Sequence, residues 1–195
     1  MIRIENLELS FGSQKVIRDI SLSIPEGVLI GITGESGCGK TTLLKCVFGL
    51  YRNYTGIIEM PSGKTALIDQ QCTLLETITN RENLLLTASE TGKKKLNELS
   101  GYFEVSKCLD KYPSECSMGQ RQKIAIIRAL LSDPDVILAD EPFAHLDFAG
   151  IKKVADVFDR LKQEGKTVIV SSHESALWKR ADKVYRMRNG LIEIA

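Results

Sequence analysis

The sequence predicts an α/β fold in which helices cover a largely parallel β-sheet. Strand-like and helix-like segments alternate through much of the chain, which is typical of such a sheet. Two strand-like segments, Val28–Thr33 and Val136–Ala139, are apolar at almost every position, as strands buried on both faces are. A glycine-rich loop joins the first of them to a helix-like segment that begins near Lys40 and extends to about Leu50.

The N-terminal part of the chain predicts an antiparallel β subdomain beside that sheet. Apolar residues alternate with polar ones along Ile2–Leu9 and again along Ile17–Ile24, which is the pattern of half-buried strands. Two shorter strands, Ile57–Glu59 and Thr65–Ile68, flank the turn Pro61-Ser62-Gly63. We expect both short strands to belong to this antiparallel region.

Residues 71–117 predict a small helical subdomain inserted into the core, because helix-like stretches are separated there by polar breaks. The stretches expected to be helical are Thr77–Ala88, Lys93–Leu99 and Val105–Leu109. After Met118 the alternation of strands and helices returns. The expected elements are, in chain order, a helix at Gly119–Leu131, a strand at Val136–Ala139, a helix at Ala149–Gln163 and a strand at Thr167–Ser171. A short helix at Glu174–Arg180 and a hairpin around Asn189-Gly190 are expected to follow. Residues 1–195 are therefore predicted to form one domain.

Composition and charge exclude several classes of protein. Lys and Arg number 26 against 25 Asp and Glu, which gives a formal net charge of +1. We therefore expect no nucleic-acid partner, because such proteins present a clustered basic surface. No segment approaches the roughly 20 apolar residues of a membrane-spanning helix, and no apolar leader begins the chain. The 5 cysteines include no CxxC pair, which argues against structural zinc or a disulfide framework and indicates a cytoplasmic compartment.

The segment Gly34–Thr41 reads GESGCGKT and matches the phosphate-loop pattern G-x-x-x-x-G-K-[ST] in full. Its glycines allow backbone N–H groups to surround phosphates, and the start of the following helix favours an anion. Lys40 is expected to reach the β- and γ-phosphates, and Thr41 to ligate Mg²⁺. The motif predicts a P-loop NTPase that binds a nucleotide such as ATP, although many unrelated ATPases and kinases carry it. The residues expected to contact the nucleotide are Gly34, Glu35, Ser36, Gly37, Cys38, Gly39, Lys40, Thr41 and Thr42.

A later strand ends in two acidic residues, Asp140 and Glu141. The carboxyl ends of the strands are where a sheet of this kind carries its chemistry. Asp140 is expected to hold Mg²⁺ through water, and Glu141 to polarise the water that attacks the phosphate. Taken alone, the pair has an alternative interpretation as an acidic turn after a buried strand.

The segment Cys116–Gln122 reads CSMGQRQ, is followed by KIAIIRAL, and lies between these two motifs. It resembles the signature segment of ABC ATPases, whose common form is LSGGQ-x-Q-x-x-x-x-A-R-A-L. The resemblance covers essentially the whole chain, with each motif in the order of the family. It implies that Ser117, Gly119 and Gln120 contact the ATP that is bound to an opposite subunit, while Ser117 also caps a helix.

The same resemblance assigns four further positions. Phe11 stands where the family stacks an aromatic ring on adenine, although a core Phe that ends a strand is the alternative. Gln70 stands at the Q-loop, where a glutamine reaches Mg²⁺ and the attacking water, and its neighbour Gln71 is the alternative. Asp147 falls in the D-loop along the interface of the pair. His173 falls at the switch histidine, which hydrogen-bonds the γ-phosphate.

The function implied by the resemblance is that of an ATP-binding and ATP-hydrolysing subunit of an ABC transporter. Such a subunit works as a homodimer or as one of two paired ABC subunits, with ATP at the interface. A separate transmembrane permease subunit would span the membrane, so this chain is expected on the cytoplasmic face of the cell membrane. The alternative is a soluble, non-transport ABC ATPase that acts on a protein assembly scaffold.

Two signature positions depart from the family pattern. Cys116 stands where Leu is usual, and Met118 where the first Gly is usual. Because Gly119 is retained, we expect hydrolysis to be kept at a reduced rate. Cys38 lies inside the phosphate loop, so we also expect its alkylation to block ATP binding.

Overall fold

The structure, a computed structural model, describes residues 1–174 and 178–195. Its strands are β1 (Ile2–Phe11), β2 (Gln14–Ile24), β3 (Leu29–Thr33), β4 (Thr55–Glu59), β5 (Thr65–Ile68), β6 (Val136–Asp140), β7 (Thr167–Ser171), β8 (Lys183–Arg188) and β9 (Leu191–Ile194). Its α-helices are α1 (Lys40–Phe48), α2 (Asn80–Leu85), α3 (Glu90–Tyr102), α4 (Met118–Leu131) and α5 (Phe148–Gln163). The predicted helix at Glu174–Arg180 includes residues 175–177, which lie outside the described residues.

The smaller sheet is antiparallel, with the strand order β2-β1-β4. Ile2, Ile4, Leu7 and Leu9 of β1 are all buried in one hydrophobic cluster. Alternation places each pair on the inner face, and a register shift between Ile4 and Leu7 keeps the two pairs on the same face. This sheet confirms the predicted N-terminal antiparallel subdomain.

The larger sheet has the order β5-β6-β7-β3-β8-β9 and is parallel except for the last pair, β8 and β9. The prediction that Thr65–Ile68 belongs to the antiparallel region is wrong, because β5 pairs in parallel with β6. Both faces of this short strand are covered: Ala66 and Ile68 pack into one hydrophobic cluster, while Leu67 packs against the other. Although β5 is an edge strand, the layers that cover the larger sheet on both sides give it apolar partners on each face.

The larger sheet separates two hydrophobic cores. Along β6, Ile137 and Ala139 contribute to the core on one face, whereas Val136 and Leu138 contribute to the core on the other. Successive side chains of a strand point to opposite faces, so the continuous apolar run follows from burial on both. Within the described residues, no helix is both long and apolar enough to cross a membrane.

The helical subdomain packs on α4, and its helices differ in length from the predicted ones. Helix α3 extends beyond the predicted Lys93–Leu99 at both ends, whereas the other two predicted segments are shorter. Thr79 caps α2 and shares a capping box with Glu82, so the helix starts later than the predicted Thr77. Ser89 caps α3, and its backbone N–H also donates to the Leu131 carbonyl oxygen at 2.8 Å, which ties α3 to the end of α4. The predicted helix at Val105–Leu109 is a single 3₁₀ turn, Ser106–Cys108.

Candidate functional site

Four strands that neighbour one another in the larger sheet carry the predicted residues to one edge. β3 ends at Thr33, immediately before the phosphate loop, and β6 ends at Asp140. β5 and β7 end shortly before Gln70 and His173, respectively. Because these four strands are parallel, their carboxyl ends meet at the same edge.

The phosphate loop packs against the C-terminal hairpin formed by β8 and β9. Gly34 has a φ of 150°, and a side chain at this position would collide with the Met187 carbonyl oxygen of β8. The Gly190 N–H donates to the Cys38 carbonyl oxygen at 3.2 Å. Helix α1 follows without a side-chain cap at its N-terminus. Its first amide groups are therefore available to an anion, which fits a phosphate.

Lys40 places a positive charge inside this loop. Its side chain is 7% exposed, and its Nζ donates to the carbonyl oxygens of Gly34 at 2.7 Å and Glu35 at 3.1 Å. A fixed ammonium group beside free helix amides is a complementary setting for the negative charge of a polyphosphate.

Asp140 provides a carboxylate oxygen that has no partner. The residue is 1% exposed, and its Oδ1 accepts from the Ser171 hydroxyl at 2.5 Å. Its Oδ2 is buried and has no hydrogen-bond partner among the described residues. An unpaired buried carboxylate oxygen is costly. Together with the hydroxyl of Thr41 and the amide of Gln70, which line the same cleft, it forms an oxygen-rich donor set that fits Mg²⁺.

Glu141 is held in an uncommon backbone conformation at the end of β6. Its φ of 46° lies in the left-handed region, which few residues with side chains adopt without support from the surroundings. Its Oε1 lies 3.3 Å from the His173 Nε2. Burial raises the pKa of Glu141 above its usual range, although the charges of His173 and Lys40 act in the opposite direction. A carboxylate with a raised pKa is a stronger proton acceptor, as a general base requires.

One cleft of about 370 Å³ brings most of the predicted residues together, and we call it the phosphate-loop cleft. Gln70 lines it, whereas Gln71 does not. Its lining residues are Val16, Ser36, Gly37, Gly39, Lys40, Thr41, Thr42, Gln70, Asp140, Glu141, Ala144 and His173. Val16 was missed by sequence reasoning, since a valine after a hairpin turn carries no chemical signal.

The predicted signature and D-loop residues line a second cleft, which we call the signature cleft. It is formed by Ser117, Met118, Gly119, Gln120, Lys123, His145, Leu146 and Asp147. The Ser117 hydroxyl accepts from the Gln120 N–H at 3.3 Å, and the Asp147 carboxylate accepts from the Gly150 N–H at 2.8 Å. Both residues therefore cap helices, α4 and α5. The two clefts share no lining residue.

Four residues predicted to contact the nucleotide of the same subunit lie outside the lining of the phosphate-loop cleft: Phe11, Gly34, Glu35 and Cys38. Gly34 and Glu35 line a neighbouring pocket that also includes His173. Phe11, at the end of β1, is 43% exposed and packs edge to face against Tyr51, with ring centroids 5.4 Å apart. It is therefore an accessible ring and not a core residue. Cys38 is only 8% exposed and packs in the core beneath the loop, so an alkylating reagent would reach it only after the loop opens.

Comparison with known proteins is consistent across sequence and structure. Residues 17–144 match the family model described as ABC transporter. The chain is 32% identical to an uncharacterized ABC transporter ATP-binding protein of Methanocaldococcus jannaschii, over 97% of this chain and 74% of that one. It is 34% identical to the lipoprotein-releasing system ATP-binding protein LolD of Porphyromonas gingivalis, over 98% of each chain. Some other relatives are longer, and the chain spans 62–64% of their length.

A solved structure agrees with this assignment. The chain superposes with a TM-score of 0.88 and 25% identity on a dimeric ATP-binding cassette in a post-hydrolysis state bound to ADP and Pi, covering 99% of this chain and 97% of that one. The chain therefore belongs to the ABC transporter family, in which it is an ATP-binding and ATP-hydrolysing subunit.

Proposed function

We propose that this chain hydrolyses ATP at sites shared by two copies of the subunit. The phosphate-loop cleft of one copy holds the nucleotide, and the signature cleft of the second copy closes over the γ-phosphate. The observation that carries this proposal is the division of the predicted ligands between two separate clefts of one chain. The dimeric state of the superposed cassette supports the same arrangement.

Within such a site the residues have distinct roles. The loop amides and Lys40 bind and orient the phosphates, and Phe11 stacks on the adenine ring. Glu141 accepts a proton from the attacking water, and His173 hydrogen-bonds the γ-phosphate. Gln70 orients the water. From the second copy, Ser117 and Gly119 donate to the γ-phosphate, Gln120 holds the Ser117 hydroxyl in place, and Asp147 lies along the interface.

Mg²⁺ fits the donor set of the phosphate-loop cleft. Thr41, Asp140 and Gln70 would hold it, directly or through water. When bound, it neutralises charge on the phosphate oxygens. A site with a single carboxylate and several neutral oxygen donors is typical of magnesium that is shared with a nucleotide, because magnesium retains waters and phosphate oxygens among its ligands.

We further propose that hydrolysis drives transport through a separate transmembrane permease subunit, with this chain on the cytoplasmic face of the membrane. Support comes from relatives that are transporter ATP-binding proteins, among them the arginine transport ATP-binding protein ArtM of Bacillus subtilis, which is 32% identical over 98% of this chain. Binding of ATP would bring the two copies together and hydrolysis would release them, so the chemistry becomes a closing and opening motion.

The test is to purify the full chain carrying Glu141→Gln from its native membranes with ATP present, and to identify the proteins that accompany it. A polytopic membrane protein in stoichiometric amount is the expected result. The matched control is Lys40→Ala, which should lose ATP-dependent pairing of the two copies. A soluble assembly partner, or a homodimer alone in the soluble fraction, would instead identify a non-transport ABC ATPase.

A further inference from the structure

Gln122 is a buried polar residue on a helix face that is otherwise apolar. It is fully buried, and its neighbours along α4 include the buried Ile124, Ala125 and Ile126. Burial of an amide is unfavourable unless its donors and acceptor are paired. A buried glutamine in this position therefore indicates that its side-chain hydrogen bonds are needed, and its two partners show what they connect.

The amide of Gln122 is paired on both sides, in an orientation that its partners fix. Its Nε2 donates to the Pro142 carbonyl oxygen at 3.0 Å. Its Oε1 accepts from the thiol of Cys72. Since a backbone carbonyl can only accept, the nitrogen must face Pro142, and the oxygen then faces the Cys72 thiol, which can donate to it. Cys72 is itself 1% exposed, so water does not compete for this bond.

Each partner of Gln122 lies within two residues of one that has a proposed role in hydrolysis. Pro142 directly follows Glu141, whose left-handed φ of 46° needs support from its surroundings. Cys72 is two residues after Gln70 and has a φ of 49°, and its Sγ lies 3.9 Å from the Gln70 carbonyl oxygen. Gln122 thus joins the turn that carries Glu141 to the turn that follows Gln70.

The neighbouring residue of α4 reinforces the same link. Arg121 forms an ion pair with Glu76, in the segment that follows Gln70. Helix α4 begins at the signature cleft, so it connects three regions: the Gln70 segment, the Glu141 turn and the residues that face the second copy.

We propose that Gln122 is a positioning residue for ATP hydrolysis, which holds the Glu141 turn and the Gln70 segment in the arrangement that the reaction requires. This inference rests on the proposed roles of Glu141 and Gln70. Gln122 is not among the residues that line the phosphate-loop cleft. Its loss should therefore change the rate of the chemical step and leave ATP binding intact.

The test is Gln122→Met in the full chain, which keeps the length of the side chain and removes both hydrogen bonds. We expect kcat for ATP hydrolysis to fall about tenfold, the effect of one to two buried hydrogen bonds, with KM for ATP within about twofold of wild type. The matched control is Gln163→Met, the same change at an exposed position at the end of α5, which should leave both constants unchanged.

Three further measurements separate positioning from a loss of folded protein. The number of ATP molecules bound per chain should stay at its wild-type value in Gln122→Met. In a Glu141→Gln background, the same substitution should cause a smaller fold-loss than in wild type, because one of the two groups that Gln122 positions is already gone. Cys72→Ser, which keeps a donor, should lower kcat less than Cys72→Ala, which removes it.

The outcomes are distinguishable from those that test the proposed function. If Glu141→Gln retains hydrolysis, the proposed role of Glu141 fails. If Glu141→Gln abolishes hydrolysis while Gln122→Met keeps the wild-type kcat, only the present inference is overturned. A fall in bound ATP that matches the fall in kcat would also overturn it, because Gln122 would then be needed only for folding.

Discussion

The phosphate-loop cleft and the signature cleft differ in the chemistry that each contains. The first combines a buried ammonium group, a buried carboxylate with one oxygen that no described residue pairs with, and a second carboxylate beside a histidine. The second is lined by the Ser117 hydroxyl, the backbone at the start of α4 with Gly119, and the Lys123 side chain, beside the helix cap Asp147. The first cleft can therefore bind phosphates and activate water, whereas the second supplies donors that recognise an anion.

Under the proposed function, neither cleft alone is a complete active site. Ser117 and Asp147 cap helices and are also exposed on the surface. A second copy of the chain can therefore contact them. If the site is assembled from two copies, hydrolysis depends on formation of the dimer. Cleavage of ATP can then cause the two copies to separate, which couples the reaction to a motion. Changes in the two clefts should accordingly give different kinetic results.

The largest expected effect lies in the phosphate-loop cleft. Glu141→Gln removes the proton acceptor without changing the size of the side chain, so the hydrolysis rate should fall by about 10²–10⁴-fold, while ATP binding persists. Release of phosphate and equilibrium binding of a fluorescent ATP analogue measure the two quantities. Hydrolysis within a few-fold of wild type would show that another group accepts the proton.

An intermediate effect is expected in the signature cleft. A Cβ atom at Gly119 would lie 2.7 Å from the His145 carbonyl oxygen, so Gly119→Ala must displace the loop before Asp147. Misplacement of this kind should lower the hydrolysis rate about 10–100-fold. Binding of ATP by the isolated chain should stay unchanged, because the phosphate loop is untouched. If Gly119→Ala lowered ATP binding as much as it lowered the hydrolysis rate, the signature cleft would not differ in function from the phosphate-loop cleft.

The smallest expected effect concerns pH. Glu141 must be ionised to accept a proton, and its raised pKa moves that requirement upward. As pH falls, kcat/KM should therefore begin to fall at a higher pH than an ordinary glutamate would give, which is about 4.3. His173→Ala removes a charge that lowers the Glu141 pKa, so the fall should move to still higher pH. If the same fall in kcat/KM at low pH were also seen in Glu141→Gln, it would arise from the titration of another group.

The local elements of the fold could be predicted because their signals are local. Val28–Thr33 and Val136–Ala139 are continuous apolar runs, and the structure buries them as strands β3 and β6. The phosphate loop and the acidic pair are recognised by spacing along the chain. Their meeting in one cleft then follows from the parallel order of the strands that carry them.

Other features depend on contacts between distant segments, which no local pattern reveals. The pairing of β5 with β6 depends on cores on both faces of the sheet. Gln122 could not be distinguished in the sequence from a solvent-facing glutamine of an amphipathic helix, yet it is fully buried between Cys72 and Pro142. The left-handed conformation of Glu141 is likewise set by its surroundings, since the residue type disfavours it.

A mixing experiment tests most directly whether each site is shared between two copies. Lys40→Ala disables the phosphate-loop cleft and Gly119→Ala disables the signature cleft, so each variant alone should hydrolyse ATP slowly. In a mixed dimer, one site combines the intact phosphate loop of one copy with the intact signature of the other. An equimolar mixture should therefore hydrolyse ATP faster than the average of the two separate variants. A rate equal to that average, in a mixture shown to contain mixed dimers, would contradict the shared site.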